Sequence, residues 1–336
     1  MASEPCVLSI GRHNSPTRGD TPIAIACDAA DSNVARGAQS PGRRQVDLNR
    51  HTRPMDVTQP TNDEQSNHWN TTTGCAWVDA QDLLDQMMKG LEDLLVDGVV
   101  TRSGRRVLDV GCGTGGTTLA VARRLGAEGR CVGADVSEPM IAAARARAER
   151  DGIPASFILA DVQTHPFERA SVDTIISRFG VMFFNDPVQA FANLRRAATD
   201  DGRLHVIAWR SAAENPFMTT AERAAAPLLP NLPDRPADGP GQFSFADPQR
   251  VAAILDAGGW ADVDLQPIDV ECTLPEPELI GFFTRLGPVG LALQGEDERT
   301  RAQVIEAVRP AFDPFVHGTE VRYTAACWMI SAQASG

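Results

Sequence analysis

The stretch VLDVGCGTGG, residues 107–116, decides the fold of this chain. An apolar run that includes one acidic residue, Asp109, leads into a turn with glycines at positions 111, 113, 115 and 116. Because glycine has no Cβ and tolerates unusual dihedrals, such a turn lets backbone N–H groups approach a bound ligand closely. An alanine-rich segment typical of a helix follows. The stretch therefore predicts a strand–loop–helix unit that binds a nucleoside-containing cofactor.

Two cofactors fit this glycine pattern. Gly111, Gly113 and Gly116 satisfy the G-x-G-x-x-G pattern of dinucleotide-binding proteins, with Asp135 at the end of the next strand as the ribose ligand. The same residues resemble the glycine-rich loop of class I S-adenosylmethionine-dependent methyltransferases, (V/L)-L-D-(V/I)-G-x-G-x-G. The spacing alone does not separate a nicotinamide cofactor from S-adenosylmethionine.

Two carboxylates favour the methyltransferase interpretation. Asp109 lies two residues before the first glycine, where it would repel a pyrophosphate but attract a cationic sulfonium with an α-amino group. A third predicted strand, residues 157–160, ends at Asp161. A carboxylate at that position resembles the methyltransferase pattern, in which it faces the adenine amino group.

The resemblance extends well beyond the loop. Residues from about 67 to 332 resemble the UbiE-like group of small-molecule methyltransferases, chiefly through SRFGVMFF at 177–184 and the segment at 190–204. It implies an α/β fold with a Rossmann-like, seven-stranded sheet, helices on both faces and an antiparallel final strand. The (D/N/S)-P-P-(Y/F/W) segment of enzymes that methylate nucleic-acid amino groups is missing after strand four, which favours a small-molecule acceptor.

The resemblance also implies which residues contact the cofactor. Asp135 would accept both ribose hydroxyls, Asp161 would accept from the adenine amino group, and Asp109 would lie near the amino group of the methionine moiety. Cys112 is interpreted as a small space-filler in the loop. The predicted cofactor residues are Asp109, Gly111, Cys112, Gly113, Gly115, Asp135, Val136, Met140, Asp161, Val162 and Ser177.

The predictions for the methyl acceptor are less specific. Trp69, Trp77 and Phe179 either wall the acceptor pocket or pack in the core, and the same holds for Phe183 and Phe184. Arg178, after strand four, would either pair with a substrate carboxylate or bind the lid through a salt bridge. His68 is the candidate general base, needed only if a hydroxyl must be ionised during transfer. No metal site is predicted.

The chain divides into three predicted regions. Residues 1–62 are polar and rich in Pro, Gly, Ser and Asp, which predicts disorder, and Met55 is a candidate natural start. Residues 63–98 form a helical lid, with leucines and methionines at helical spacing up to a stop at Gly98. Residues 99–336 form the catalytic domain, with cover insertions at 211–245 and 275–315.

Composition narrows the partners and the compartment. A net charge of −13 disfavours a nucleic-acid backbone, which needs clustered Lys and Arg, and no apolar run approaches the ~20 residues of a membrane span. Seven dispersed cysteines are typical of a reducing compartment, so a cytoplasmic protein is predicted. A homodimer stays open. The sequence thus predicts an enzyme that methylates a small molecule with S-adenosylmethionine, the alternatives being an NAD-dependent oxidoreductase and a non-catalytic cofactor-binding protein.

Overall fold

A computed structural model describes residues 63–100, 105–233 and 239–334 of the protein. The predictions for residues 1–62, both the disorder and the start at Met55, lie outside the described residues. None of the helices in the described ranges is long and apolar enough to cross a membrane.

One twisted sheet forms the centre of the fold. Its strands are β1 (Arg106–Val110), β2 (Arg130–Asp135), β3 (Ala155–Leu159), β4 (Val172–Arg178), β5 (Ala198–Trp209), β6 (Ala261–Pro275), β7 (Val316–His317) and β8 (Glu320–Gln333). The spatial order is β3-β2-β1-β4-β5-β8-β6, and the two-residue β7 pairs only with β8. The first five strands are parallel, whereas β8 is antiparallel to both β5 and β6. The predicted seven-stranded sheet with an antiparallel final strand is confirmed.

Helices cover the sheet, as a parallel sheet requires because both of its faces are apolar. They are α1 (Asp63–Trp69), α2 (Thr72–Asp79), α3 (Gln81–Met87), α4 (Lys89–Val100), α5 (Gly116–Leu125), α6 (Glu138–Asp151), α7 (Pro187–Ala197), α8 (Pro216–Ala225), α9 (Pro248–Ala257), α10 (Leu279–Arg285), α11 (Gly287–Leu293) and α12 (Glu298–Val308). Helices α8 and α10–α12 belong to the two predicted cover insertions.

The central strands show why the sheet needs this cover. In β1, residues 107–110 are all buried, and in β4 residues 174–177 are all buried. Such strands are buried on both faces, which is why they appear in the sequence as continuous rather than alternating apolar runs. Leu108 and Ile175 pair across β1 and β4 in the same register and are almost completely shielded from solvent.

The lid helix differs from its prediction. The leucine- and methionine-rich segment forms two helices, α3 and α4, which are separated at Met88, and α4 continues past Gly98 to Val100. Met88 has φ −101° and ψ 15°, which interrupts the helical dihedrals. Leu84 and Leu91, on either side of the break, are both buried, so the break allows both helices to place their apolar faces on the core.

Candidate active site

A cleft of about 770 Å³, including its mouth, lies at the carboxyl ends of β1 to β4. Its floor comes from the strand ends and the turns that follow them: Val110, Gly111, Gly113, Ala134, Asp135, Val136, Met140, Ala160, Asp161, Val162, Arg178, Phe179, Gly180, Phe183 and Phe184. The lid contributes Gln65, Trp69 and Trp77. The carboxyl ends of parallel strands at a switch in strand order are where open α/β sheets bind ligands, and here β1 separates β2 from β4.

The glycine loop follows β1 in left-handed conformations. Gly111, Gly113 and Gly115 have φ of 66°, 54° and 84°, values that residues other than glycine rarely adopt. The loop is attached to the neighbouring strand, because the N–H groups of Gly111 and Cys112 donate to the Ala134 carbonyl at 2.8 and 3.1 Å. Gly111 and Gly113 thereby present backbone, with no side chain, to the cleft.

Asp135, at the end of β2, is oriented by two backbone hydrogen bonds. Its Oδ2 accepts from the Gly113 N–H at 2.8 Å and its Oδ1 from the Ser137 N–H at 2.9 Å. Burial raises the pKa of this carboxyl, and the backbone donors oppose that rise. Each carboxylate oxygen has a second lone pair, so Asp135 retains acceptor capacity towards a ligand in the cleft.

Asp161 holds the turn after β3 while facing the same cleft. Its Oδ1 accepts from the Gln163 N–H at 2.9 Å, and its Oδ2 accepts from Thr164 Oγ1 at 3.3 Å. Met140 and Val162, each 4% exposed, add apolar surface to the cleft that the two carboxylates line. Apolar surface together with carboxylate acceptors suits a flat heterocycle that carries hydroxyl and amino groups.

Four of the predicted cofactor residues do not line the cleft and instead support it. Asp109 is 1% exposed and accepts from Thr118 Oγ1 at 2.7 Å, and burial raises the pKa of its carboxyl to about 7. The buried Ser177 donates through Oγ to the Val110 carbonyl at 2.7 Å. Cys112 and Gly115 are also buried. These four residues are therefore buried next to residues that line the cleft.

Arg178, at the end of β4, contacts the lid. Its Nη1 donates to the Met88 carbonyl at 3.4 Å, and its Nη2 lies 3.9 Å from Asp85 Oδ1. The side chain is 14% exposed and still lines the cleft. Of the two interpretations that the sequence left open, the contacts present correspond to the lid salt bridge.

The aromatic residues both pack and line the cleft. Trp69 makes edge contacts with Trp77 and Phe183, at ring-centre distances of 5.7 and 5.3 Å. Phe179 has φ 70° and stacks on Trp209 with ring centres 4.5 Å apart. The sequence left open whether these aromatic side chains pack in the core or line the pocket. In the structure they do both.

His68 is placed outside the cleft. Its side chain is exposed, its ring contacts Trp69 edge-on at 5.2 Å, and it does not line the cavity. Desolvation on the side facing the protein lowers the pKa of its imidazole. Within the described ranges, no cluster of three or more His, Cys, Asp or Glu side chains is arranged to hold a metal ion.

A lid contact that sequence reasoning missed joins α3 to the glycine loop. Asp85 Oδ2 accepts from Arg147 Nη2 of α6 at 2.5 Å, and Arg147 Nη1 donates to the Thr114 carbonyl at 2.9 Å. Asp85 also lies at the start of α5, since a Cβ on Gly116 would be 2.5 Å from its Oδ1. The partners are about 30 to 60 positions apart in the chain, and no local pattern marks them.

Comparisons with known proteins agree with this geometry. Residues 107–202 match the family described as a methyltransferase domain. The chain is 29% identical over 194 residues to a demethylmenaquinone methyltransferase of Thermus thermophilus, covering 54% of this chain and 87% of that protein. It is 31% identical over 225 residues to nocamycin O-methyltransferase of Saccharothrix syringae, covering 64% of this chain and 80% of that protein.

A solved structure, the YcgJ protein of Bacillus subtilis, is 19% identical and covers 72% of this chain and 97% of its own. The TM-score of this match is 0.47.

Proposed function

This chain belongs to the class I S-adenosylmethionine-dependent methyltransferases, and we propose that it methylates an apolar small molecule whose nucleophilic atom reaches the cleft already ionised or otherwise activated. S-adenosylmethionine supplies a methyl group on a cationic sulfur, with a neutral thioether as leaving group. The observation that carries the proposal is the cleft itself, in which Asp135 and Asp161 face the same cavity as the bare backbone of Gly111 and Gly113.

We assign the floor of the cleft to the cofactor. Asp135 would accept from the ribose hydroxyls with the lone pairs that the Gly113 and Ser137 N–H groups leave available. Met140 and Val162 would contact the faces of the adenine, with Asp161 at its amino edge. The methionine moiety would extend along Gly111 and Gly113.

The role of Asp109 is proposed to be electrostatic rather than a direct contact, since it lies beneath the loop and does not line the cleft. A cation bound above the loop would favour the ionised form of this carboxyl.

The acceptor would lie under the lid. Trp69, Trp77, Phe179 and Phe183 give this end of the cleft an aromatic wall, which favours an apolar and ring-containing molecule. An in-line displacement requires alignment of the reacting atoms and exclusion of water. An aromatic wall that excludes water would therefore raise the rate of methyl transfer. Arg178 is the one cationic side chain among the described residues that line the cleft.

The ionisable groups of the cleft constrain the acceptor further. Among the described lining residues these are Asp135, Asp161 and Arg178, and we assign both carboxylates to the cofactor. No imidazole, amine or phenol is then available in the lining to remove a proton during transfer. An acidic hydroxyl such as a phenol or enol, a thiol or an activated carbon meets this requirement, and the positive charge of Arg178 would favour the ionised form.

Two measurements test the proposal. Calorimetry should detect binding of S-adenosylhomocysteine and not of NAD, and binding of NAD alone would instead support an oxidoreductase. Incubation with methyl-labelled S-adenosylmethionine and a metabolite extract should then label a small apolar product. Cofactor binding without any labelled product, from extracts that support a known methyltransferase run in parallel, would favour a non-catalytic cofactor-binding protein.

A further inference from the structure

The turn between β2 and α6 is held by a residue of the lid. Ser137 occupies the N-cap position of α6, where a serine hydroxyl normally accepts from the first turn, but its side chain makes no capping hydrogen bond. The Glu138 N–H donates instead to Asn70 Oδ1 at 2.7 Å. Asn70 Nδ2 donates to the Val136 carbonyl at 2.8 Å. A single side-chain amide therefore bridges both sides of the turn.

A second contact explains why Ser137 is not the cap. Its Oγ donates to the Trp69 carbonyl at 2.7 Å, so the serine hydroxyl is directed at the lid. The approach at this point is close: a Cβ on Gly74 would lie 2.1 Å from the Trp69 oxygen and 3.0 Å from Ser137 Oγ. The lid turn and the residues after β2 thus fit together through three independent features, namely the Asn70 amide, the Ser137 hydroxyl and the bare Cα of Gly74.

We propose that Asn70 is a positioning residue for the cofactor, acting from the lid to fix the turn that carries Asp135. The inference rests on the proposed function, in which Asp135 binds the ribose. The Ser137 N–H donates to Asp135 Oδ1 at 2.9 Å, so the turn that Asn70 fixes also orients the carboxylate. Trp69, adjacent to Asn70, lines the cleft, so one short segment places both an aromatic wall and a cap.

The chemistry of the side chain specifies asparagine. The Glu138 N–H requires an acceptor and the Val136 carbonyl requires a donor, and the amide supplies both from one rigid group. An aspartate retains the acceptor and places negative charge at a helix N-terminus, which is favourable, but loses the donor. An alanine loses these two hydrogen bonds to the turn, and it also loses the donation from Asn70 Nδ2 to the Ser66 carbonyl at 2.8 Å.

The experiment compares dissociation constants for S-adenosylhomocysteine, measured by calorimetry on the full chain. We expect Asn70→Ala to bind about tenfold more weakly, in line with the loss of two hydrogen bonds, and Asn70→Asp to recover part of that loss. Ser137→Ala, which removes the second lid contact, should also weaken binding. Asn67→Ala, an exposed residue one turn earlier in α1, is the matched control and should bind as the wild type does.

A second measurement shows which part of the ligand loses affinity. Because Asn70 acts on the ribose turn, Asn70→Ala should weaken 5′-methylthioadenosine, which lacks the amino-acid end, by the same factor as S-adenosylhomocysteine. Urea unfolding of each variant separates this effect from a loss of stability, because a variant that is less stable but still folded at the temperature of the titration should bind both ligands as the wild type does.

Three results would overturn the inference: unchanged affinity in Asn70→Ala, equal loss in Asn67→Ala, or no recovery in Asn70→Asp. If the wild type itself bound no S-adenosylhomocysteine, the proposed function would fail first, and the two failures are therefore distinguishable.

Discussion

The backbones of Gly111 and Gly180 are in direct contact, and each leaves no room for a side chain on the other. A Cβ on Gly111 would lie 2.5 Å from the Gly180 Cα, and a Cβ on Gly180 would lie 2.7 Å from the Gly111 Cα and 2.5 Å from the Val110 carbonyl oxygen. The loop after β1 and the turn after β4 therefore meet at van der Waals limits. This contact fixes the spacing between the turns that follow the neighbouring strands β1 and β4, and the Gly180 N–H donates to Ser177 Oγ at 3.1 Å.

Gly180→Ala should consequently damage both the fold and the site. Because the obstructing atoms are backbone rather than flexible side chain, relief requires the two loops to separate, and we expect a loss of about 1–3 kcal/mol in the free energy of unfolding. S-adenosylhomocysteine should bind more weakly as well. Gly98→Ala is the control: a Cβ there meets nothing within 4 Å, and alanine in a helix should stabilise by about 0.5–1 kcal/mol. Urea unfolding measures the free energy of unfolding of both variants. Equal values for the two variants would contradict the contact between Gly111 and Gly180.

Asp135→Asn should weaken binding of the cofactor without unfolding the protein. Asparagine keeps one oxygen for a backbone donor but loses the charge and one acceptor towards the ribose, which we expect to cost about 10- to 100-fold in the dissociation constant of S-adenosylhomocysteine. Asp200→Asn, an exposed carboxyl, serves as the control. A 2′-deoxy analogue should bind wild type more weakly and distinguish little between wild type and Asp135→Asn. If the analogue lost equal affinity in both proteins, Asp135 would not contact that hydroxyl.

The sequence predicted part of this site. Which features could be predicted depends on how far apart the contacting residues lie in the chain. The glycine loop and the strand ends at Asp135 and Asp161 could be predicted because each is marked by residues that are adjacent in the sequence. A salt bridge from Arg178 to the lid was one of two interpretations, but the hydrogen bond between Asn70 and the Glu138 N–H, which joins residues 68 positions apart, was not predicted. Ser137 has the residue type and position of an N-cap for α6, but its hydroxyl donates to the Trp69 carbonyl and the distant Asn70 amide accepts from the first turn.

The predicted bounds of the lid helix were wrong. Gly98 was taken as a helix stop, but α4 continues to Val100. A glycine inside a helix costs only about 1 kcal/mol relative to alanine, which the burial of Leu91, Leu95 and Val99 outweighs. The break falls instead at Met88, two residues before Gly90, where the Met88 carbonyl accepts from Arg178.

Asp109 should make the stability of the fold depend on pH. Burial raises the pKa of its carboxyl from 3.8 to about 7, so between those values the folded state retains a proton that the unfolded state has lost. The stabilisation that this proton provides is complete below about pH 4 and is lost as the pH rises through 7, by an amount on the order of 4 kcal/mol. Asn at this position titrates nowhere in this range.

The free energy of unfolding of wild type minus that of Asp109→Asn should therefore fall between pH 4 and 8 and then level off. Urea titrations at several pH values measure the difference directly, with Asp200→Asn expected to show no such trend. A difference that rose with pH would mean that the carboxylate, and not the acid, is the favoured form beneath the loop.

Asp85→Asn should loosen the lid at the methionine end of the cofactor. Asparagine keeps an acceptor for Arg147 but loses the charge that faces both Arg147 and Arg178, and we expect S-adenosylhomocysteine to bind about three- to tenfold more weakly. Asp85 acts next to the glycine loop and away from the ribose turn. The affinity for 5′-methylthioadenosine should therefore change less than that for S-adenosylhomocysteine, and an equal change in both would place Asp85 outside the proposed lid contact. Asp82→Asn, in the same helix, is the control.

The pH profile of methyl transfer should follow the acceptor rather than a side chain of the enzyme. The proposed function assigns both lining carboxylates to the cofactor, so it predicts that a hydroxyl acceptor loses its proton before transfer. We expect kcat/KM to rise with pH up to the pKa of the acceptor and then to level off. Two acceptors whose hydroxyl pKa values differ by about two units should move that break by about two units.

His68→Ala should leave this profile unchanged, because the exposed imidazole lies outside the cleft. Arg178→Gln should leave the break in kcat/KM in place and shift the break in kcat upward, because the variant removes the cation that favours the ionised form of the bound acceptor. A break that disappeared in His68→Ala would make the imidazole the general base after all. A break that stayed near pH 7 for every acceptor would point instead to the titration of Asp109, whose pKa is about 7.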